Sequence, residues 1–533
     1  MHATVEKDAV LVFAPDPCTM FASSSYSQTQ EFEIHSESSI ALIDWFSSGR
    51  FKNKERWEFD SLQTRTKLNW LKTEITKDED EDEDESRTIV DKHDNMPFLQ
   101  DSTYIDLRLN NNQMENHDIH GVSDFNCFAS LILYGEHIQS VKDRCLTLSD
   151  TFAAKYTRIR ERDQCDKECD IIDTHTDIST NLAGRVIMGV SQVNLPGKPS
   201  DAYVVRLAGK SNEDIYRVFH DCLIPMAPSF GIEFYKDRIL AQRSEIPKKE
   251  VSQDPIEDVY KATETKTNTY SPQKLARKDP YPTSPLDSMP TASNTSFWSI
   301  MMLADSGLPT GSFAHSAGLE AAAQLGMLRG EEDVRNYIQA ATRSSMQLLA
   351  PFLICSLRIV QRNDGDCISI RDSWDKLNRE CSAVMVTNKP ACSASIDQGK
   401  SLARVASQWL GQESSHLDIL ECLKSAPSPH IAPTLGVIGG LLGLDEIQIC
   451  RLFAYCMARD IVSAAVRLSL VGPLASVPLL HNVQESAEDG IRAVYAEILK
   501  HPDDPLLVAA ASAPVIEAIH PCHEILQVRL FRS

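Results

Sequence analysis

The sequence contains no G-x-x-x-x-G-K-[ST] loop, no G-x-G-x-x-G between a strand and a helix, no H-E-x-x-H and no G-x-S-x-G. P-loop nucleotide, dinucleotide, zinc-protease and serine-hydrolase chemistry are left without a motif, and no enzyme is expected. Basic residues are outnumbered, 53 Lys and Arg against 75 Asp and Glu, and the net charge of −22 opposes binding to nucleic acid. No run approaches the roughly 18 apolar residues of a membrane span. The first residues lack the basic start and apolar stretch of a secretory signal. A cytoplasmic protein without a membrane partner is the expectation. The 14 cysteines are thinly spread, unlike the dense framework of a secreted disulfide domain, which predicts reduced thiols that act mostly as small buried apolar groups.

At 533 residues, two or three domains are expected. Ala9 to Phe13 is an apolar run, Gln28 to Ile34 alternates polar and apolar residues, and Ile40 to Trp45 is apolar again, so the chain opens in short strands. Over about residues 72–125 the pattern fails around the acidic block Asp78 to Glu85, and a disordered insertion is predicted. Phe128 to Tyr134, Arg185 to Val193 and Ala202 to Leu207 read as further strands. Ile138 to Arg160 is helical with imperfect phase, and Ser211 to Leu223 opens on a serine cap with Glu213 and Asp214 in its first turn. From 241 to 294, Lys, Thr, Ser and Pro replace apolar periodicity, the composition of a flexible linker. Beyond it, faces such as Val334, Tyr337, Ile338 and Ala341 recur at helical spacing, with breaks expected near Pro351, Pro433 and Pro473. The predicted architecture is multidomain: a mainly-β domain with a few helices over 1–240, the linker, and an all-α bundle over 295–533.

Imidazole and thiolate suit nickel and zinc, so two clusters are candidate ligand sets. His520, Cys522 and His523 stand close together, with Glu517 and Glu524 nearby; the other reading is a surface turn. Cys165, Cys169 and His175 sit in a polar interruption that also reads as a solvated loop. Asp44, inside an apolar run, must be paired, protonated or beside a wet cavity, and an ion pair with Arg50 is the expectation. The glycine-rich turn from Ala304 to His315 is either an interaction surface or a tight connection between two helices.

Leu303 to Ala322, LADSGLPTGSFAHSAGLEAA, resembles the opening motif of the UreF urease accessory proteins. Ala394-Ser395 with Gln398-Gly399, Gly436 to Leu444, Ser463 to Leu468, His523-Glu524 and Arg529 to Ser533 extend the likeness over 296–533. Gly472 to Val477 departs from it where such proteins carry a glutamine. Pro15 to Gln28, Asp44 to Arg50, Glu55 to Phe59 and Val205 to Gly209 resemble a second family, UreD, also called UreH. Two glycine- and lysine-containing segments of that family's front do not precede Met1, which suggests a partial domain or strands supplied by another chain. The resemblance implies a non-catalytic maturation protein that binds apo-urease and a UreG-like GTPase and assists nickel insertion. Its UreD-like and UreF-like parts would bind each other, with a homodimer as an allowed assembly. No tightly bound cofactor is implied, only nickel in transit. For partner binding it singles out Asp305, Ser306, Pro309, Gly311 and His315, together with the tail residues Arg529, Leu530 and Phe531. The tail is expected to order against the UreD-like part, the other reading being that it completes the helical core. A generic helical adaptor unrelated to nickel is the alternative function.

Overall fold

The computed structural model describes residues 1–71, 96–107, 125–163, 182, 184–244, 291–363, 366–411 and 417–533. Cys165, Cys169 and His175, most of the acidic insertion and, apart from its two ends, the expected linker lie outside these residues.

The N-terminal half is built from two sheets. In the first, β1 (His2–Val5), β4 (Ser25–Ile34), β6 (Ser61–Trp70) and β7 (Leu99–Asp106) lie side by side in that order, parallel up to β6 and antiparallel between β6 and β7. In the second, the order is β2 (Val10–Phe13), β5 (Ser39–Ser47), β8 (Cys127–Tyr134), β10 (Ala202–Gly209) and β9 (Val186–Val193), with β3 (Cys18–Thr19) also beside β5. Phe32, Ile34, Leu68 and Leu99 of the first sheet meet Ile40, Leu42, Ile132 and Val204 of the second in one dry cluster. Alternation along β4 sends one set of side chains into that cluster and leaves the other wet. β5 and β8 are covered on both faces, which is why they read as unbroken apolar runs.

Two helices cover the second sheet. The helix α2 (Asn212–Leu223) opens where Ser211 accepts the Asp214 N–H, as the cap pattern predicts. It sets Tyr216 and Phe219 edge-on against Trp45, with ring centroids 4.9 and 5.7 Å apart. α1 (Gln139–Asp163) packs beside it, and α3 (Lys236–Ser244) follows.

The expected disorder over 72–125 is corrected in one place: Leu99–Asp106 is strand β7, paired with β6 along its whole length. Its residues Gln100, Asp101 and Ser102 are polar yet buried, so neither hydropathy nor alternation marks them as sheet.

The C-terminal half is helical. After α4 (Thr291–Ala304) and the short α5 (Leu319–Gln324), the long α6 (Glu331–Arg362) runs through its centre. Around α6 pack α7 (Cys367–Met385), α10 (Ile431–Leu441), α11 (Glu446–Arg467) and α12 (Ser476–Lys500), while α8 (Lys389–Leu410) and α9 (Leu417–Ser425) form an outer pair. The break expected near Pro351 is not made: the residue is buried mid-helix and α6 continues to Arg362. Among the described residues α6 alone is long and apolar enough to cross a membrane, and most of its apolar stretch is buried in this bundle. α13 (Pro514–Ile519) and a 3-10 turn, His520–Ile525, close the chain against the β half.

Candidate functional site

The two halves meet along a seam that uses backbone as well as side chains. β7 would be an open edge, but Ala511 of the helical half bridges to it: the Tyr104 N–H donates to Ala511 O and the Ala511 N–H to Ser102 O, both at 2.9 Å. Strand edges are the natural places for such pairing. Gln100 Nε2 donates to Leu506 O at 2.8 Å, and Arg65 reaches Leu507 O. Farther along, the Lys389 N–H donates to Ser191 Oγ at 3.1 Å and the Cys522 thiol to Met188 O at 3.4 Å. Gly189 of β9 has no room for a side chain, since a Cβ there would lie 2.5 Å from Ala518 O. One apolar core runs through the seam, joining Ile187 and Met188 to Val515, Ile519 and Cys522.

At the centre of the seam sits Arg206, on β10. Its Nη2 donates to Asp101 Oδ1 at 2.7 Å and to Thr387 Oγ1, across the seam, at 3.0 Å. Both charged side chains are buried. Arg206, Asp101, Asp44, Ser130 and Pro514 line a small cavity of about 30 Å³. The expected Asp44–Arg50 pair is not made: Arg50 Nε donates to Glu55 at 2.8 Å instead. Asp44 accepts weakly from Gln28 Nε2 and Thr66 Oγ1, each at 3.4 Å, and belongs to this cavity. Desolvation, and then the nearby Asp101 carboxylate, push its pKa from 3.8 to about 6.

Because the folded value is raised, Asp44 contributes stability that is complete below about pH 4 and is lost as pH rises through about 6. Asp44→Asn removes that loss. Its unfolding free energy should overtake that of the wild type across pH 4–6 and exceed it by about 1–2 kcal/mol at pH 7, less than the full shift because the group borders a cavity. Denaturant titrations at a series of pH values test this, and two curves that run parallel from pH 4 to 7 would refute it.

The glycine-rich turn is an exposed loop for most of its length. Asp305 accepts the Gly307 N–H at 2.8 Å, and Asp305, Ser306, Pro309 and Gly311 all face solvent. His315 does not: it is buried, shares a 2.8 Å hydrogen bond with Ser533 Oγ, and burial holds its pKa below the ordinary imidazole value. Gly318 adopts φ 80°, and a Cβ there would meet the Tyr337 hydroxyl at 2.8 Å.

The tail expected to await a partner is folded onto its own helical half. Glu320 of α5, 1% exposed, accepts the N–H groups of Leu530 at 2.6 Å and Phe531 at 3.1 Å, and His523 Nε2 at 3.0 Å. The Arg532 N–H donates to Ala314 O at 2.7 Å, and Ser533 O accepts from the Ser316 N–H and hydroxyl at 2.6 and 2.9 Å. Phe531 is buried beneath the Arg467 guanidinium, 4.6 Å from its ring, whereas Arg529 and Leu530 stay exposed. The tail thus folds back as in the second of the two readings, but only Phe531 joins the core and Leu530 does not.

His520, Cys522 and His523 are likewise buried, neither a surface turn nor a ligand set. They part in three directions: Cys522 to the Met188 carbonyl, His523 to Glu320, and His520 to a cavity of about 100 Å³ that it lines with His315, Ser395, Gln398 and Glu517. Burial pushes the Cys522 thiol up to about 12 and, helped by His523 and His315, the His520 imidazole down to about 3. Among the described residues no group of three or more His, Cys, Asp and Glu side chains is arranged to hold a metal ion. The residues that organise the site, Glu320, Arg206 and Asp101, were not singled out from sequence. A lone Glu beside Ala321 and Ala322, and a lone Arg in Val204-Val-Arg-Leu-Ala208, are the signals that mark buried charges.

Residues 1–240 match the family model described as UreD urease accessory protein, and residues 328–484 match the UreF model. Urease accessory protein F of Oryza sativa subsp. indica is 36% identical over 238 residues, covering 44% of this chain and 85% of that protein. The Arabidopsis thaliana urease accessory protein F is 31% identical over 247 residues, 46% of this chain and 96% of that protein. Urease accessory protein D of Arabidopsis thaliana is 23% identical over 236 residues, 43% of this chain and 67% of that protein. The chain therefore belongs to the urease accessory proteins, as a fusion of a UreD segment with a UreF segment.

Proposed function

We propose that the chain is a non-catalytic scaffold of urease maturation, which binds apo-urease and a UreG-like GTPase and assists the insertion of nickel. The observation that carries this reading is the seam: segments of two accessory families, fused in one chain, share an apolar core and edge-strand hydrogen bonds. The exposed loop Asp305 to Gly311 gives the helical half a docking surface for the GTPase, and the β half is assigned to apo-urease. Nickel passes through the complex as cargo.

In a bacterial host that carries urease and UreG genes but lacks its own UreD and UreF, this chain should restore nickel-loaded, active urease. Urease that stays nickel-free although the chain is present and folded would overturn the reading and favour an adaptor unrelated to nickel. Purified on its own, the chain should hydrolyse neither urea nor GTP above the buffer blank, since no phosphate-binding loop is present. Phosphate release that survives removal of every separate GTPase would refute this.

A further inference from the structure

The cavity that His520 lines lies inside the helical half, and the maturation role does not use it. It holds about 100 Å³ between α6, α8, α11 and α13. Much of its wall is apolar, from Leu348 of α6, Ala394 of α8, Met457 and Ile461 of α11 and Ile516 of α13. Four titratable groups, Glu517, His520, His315 and Asp460, belong to its lining, and among the described residues no lysine or arginine does.

Two of these groups keep unused bonding capacity. Glu517 Oε2 accepts from Asn388 Nδ2 at 3.0 Å, whereas the other oxygen takes no donor from the described residues. Arg206 feels the charge of Glu517 but donates to Asp101 and Thr387. His520 is 7% exposed, and its Nε2 has no hydrogen-bond partner. The two residues stand three apart on continuous helical turns, so they come up on one side. The other two groups are spent: Asp460 Oδ1 accepts from Arg459 Nε and Nη2 at 3.0 and 2.7 Å, and His315 is bonded to Ser533. What remains facing the hydrocarbon wall is one carboxylate oxygen and one imidazole nitrogen.

We propose that this cavity binds a small primary alkylammonium ion, its head against Glu517 and His520 and its chain along Leu348, Met457 and Ile516. An ammonium carries three N–H donors and no acceptor. That matches a carboxylate oxygen and, with the ring proton on Nδ1, the lone pair on His520 Nε2; burial holds this imidazole uncharged at neutral pH, so it does not repel the cation. The size also fits. An apolar cavity of about 150 Å³ admits benzene, and about 100 Å³ suffices for a four-carbon chain with its head. A hydrated divalent ion is the poorer occupant, since its bound waters would be set against Leu348, Ile461 and Ile516.

The test follows thermal unfolding of the full chain in about 10 mM n-butylammonium chloride, with sodium chloride and n-butanol at the same concentration as references. The expected result is a melting temperature at least about 2 °C higher in the amine than in either reference. Sodium chloride lacks the chain and n-butanol lacks the charge, so neither should reproduce the rise. Glu517→Gln should abolish it, because the amide keeps the shape and loses the charge. Should that variant fail to fold, Leu348→Trp decides in its place, filling the cavity from a half-buried position on α6. A melting temperature in the amine no higher than in the references would overturn the proposal, as would a rise that persists in folded Glu517→Gln or Leu348→Trp.

Discussion

Glu320→Ala should cost about 3–5 kcal/mol, because it orphans three donors at once. The Leu530 and Phe531 N–H groups and His523 Nε2 all end on this one buried carboxylate. An unsatisfied buried donor costs about 1–3 kcal/mol, and the tail can recover part of the sum by relaxing toward water. For a unit of this size the melting temperature should fall by roughly 10 °C. Glu320→Gln should fall between, since its amide oxygen still accepts while its NH₂ group opposes an N–H. Proteolysis should release the tail faster in both variants. A melting temperature within about 2 °C of the wild type for Glu320→Ala would show that the tail is held by something other than this carboxylate.

The second large effect is expected at the seam. Arg206→Met keeps the bulk of the side chain but leaves Asp101 buried with no cation and with Asp44 on the same cavity. Breaking a buried pair from one side costs about 3–5 kcal/mol, whereas removing both partners can be close to neutral. Arg206→Met should therefore destabilise the whole chain strongly, and Asp101→Asn added to it should restore most of the loss. Chemical denaturation of the two variants measures this. A double variant as unstable as the single one would mean that Arg206 acts through packing and the Thr387 contact rather than through charge.

Most elements of the fold were legible because their signals are local. Ile40 to Trp45 and Phe128 to Tyr134 are apolar on every residue, and they became β5 and β8, covered on both faces. The Ser211 cap and the acidic turn after it declared the start of α2. What escaped depends on partners far away in the chain. β7 looked like part of a polar insertion since its buried amide Gln100 finds an acceptor, Leu506 O, 406 residues downstream. Arg50 was offered as the partner of Asp44 by proximity in sequence, yet five residues on, Glu55 is nearer in space. The tail's Leu530 and Phe531 read first as a partner anchor and second as core; Phe531 alone is buried, and the carboxylate that holds both N–H groups, Glu320, lies 210 and 211 residues away. The cluster His520 to His523 is compact in sequence, but a 3-10 turn splays its side chains in three directions.

The seam also sets a timetable. β7, β9 and β10 leave the ribosome early, while the segments that cover them, Leu506 to Ala511 and Pro514 to Ile525, are among the last described residues to be made. At the usual rate of about 5–20 residues per second, the β half waits on the order of 15–60 s with an unpaired strand edge and an uncovered apolar face. Two separate chains could be synthesised side by side and meet at once. In the fused chain the early half stays uncovered until residues 506–525 have been made, and a ribosome that stalls in the helical half strands a sheet with an open edge.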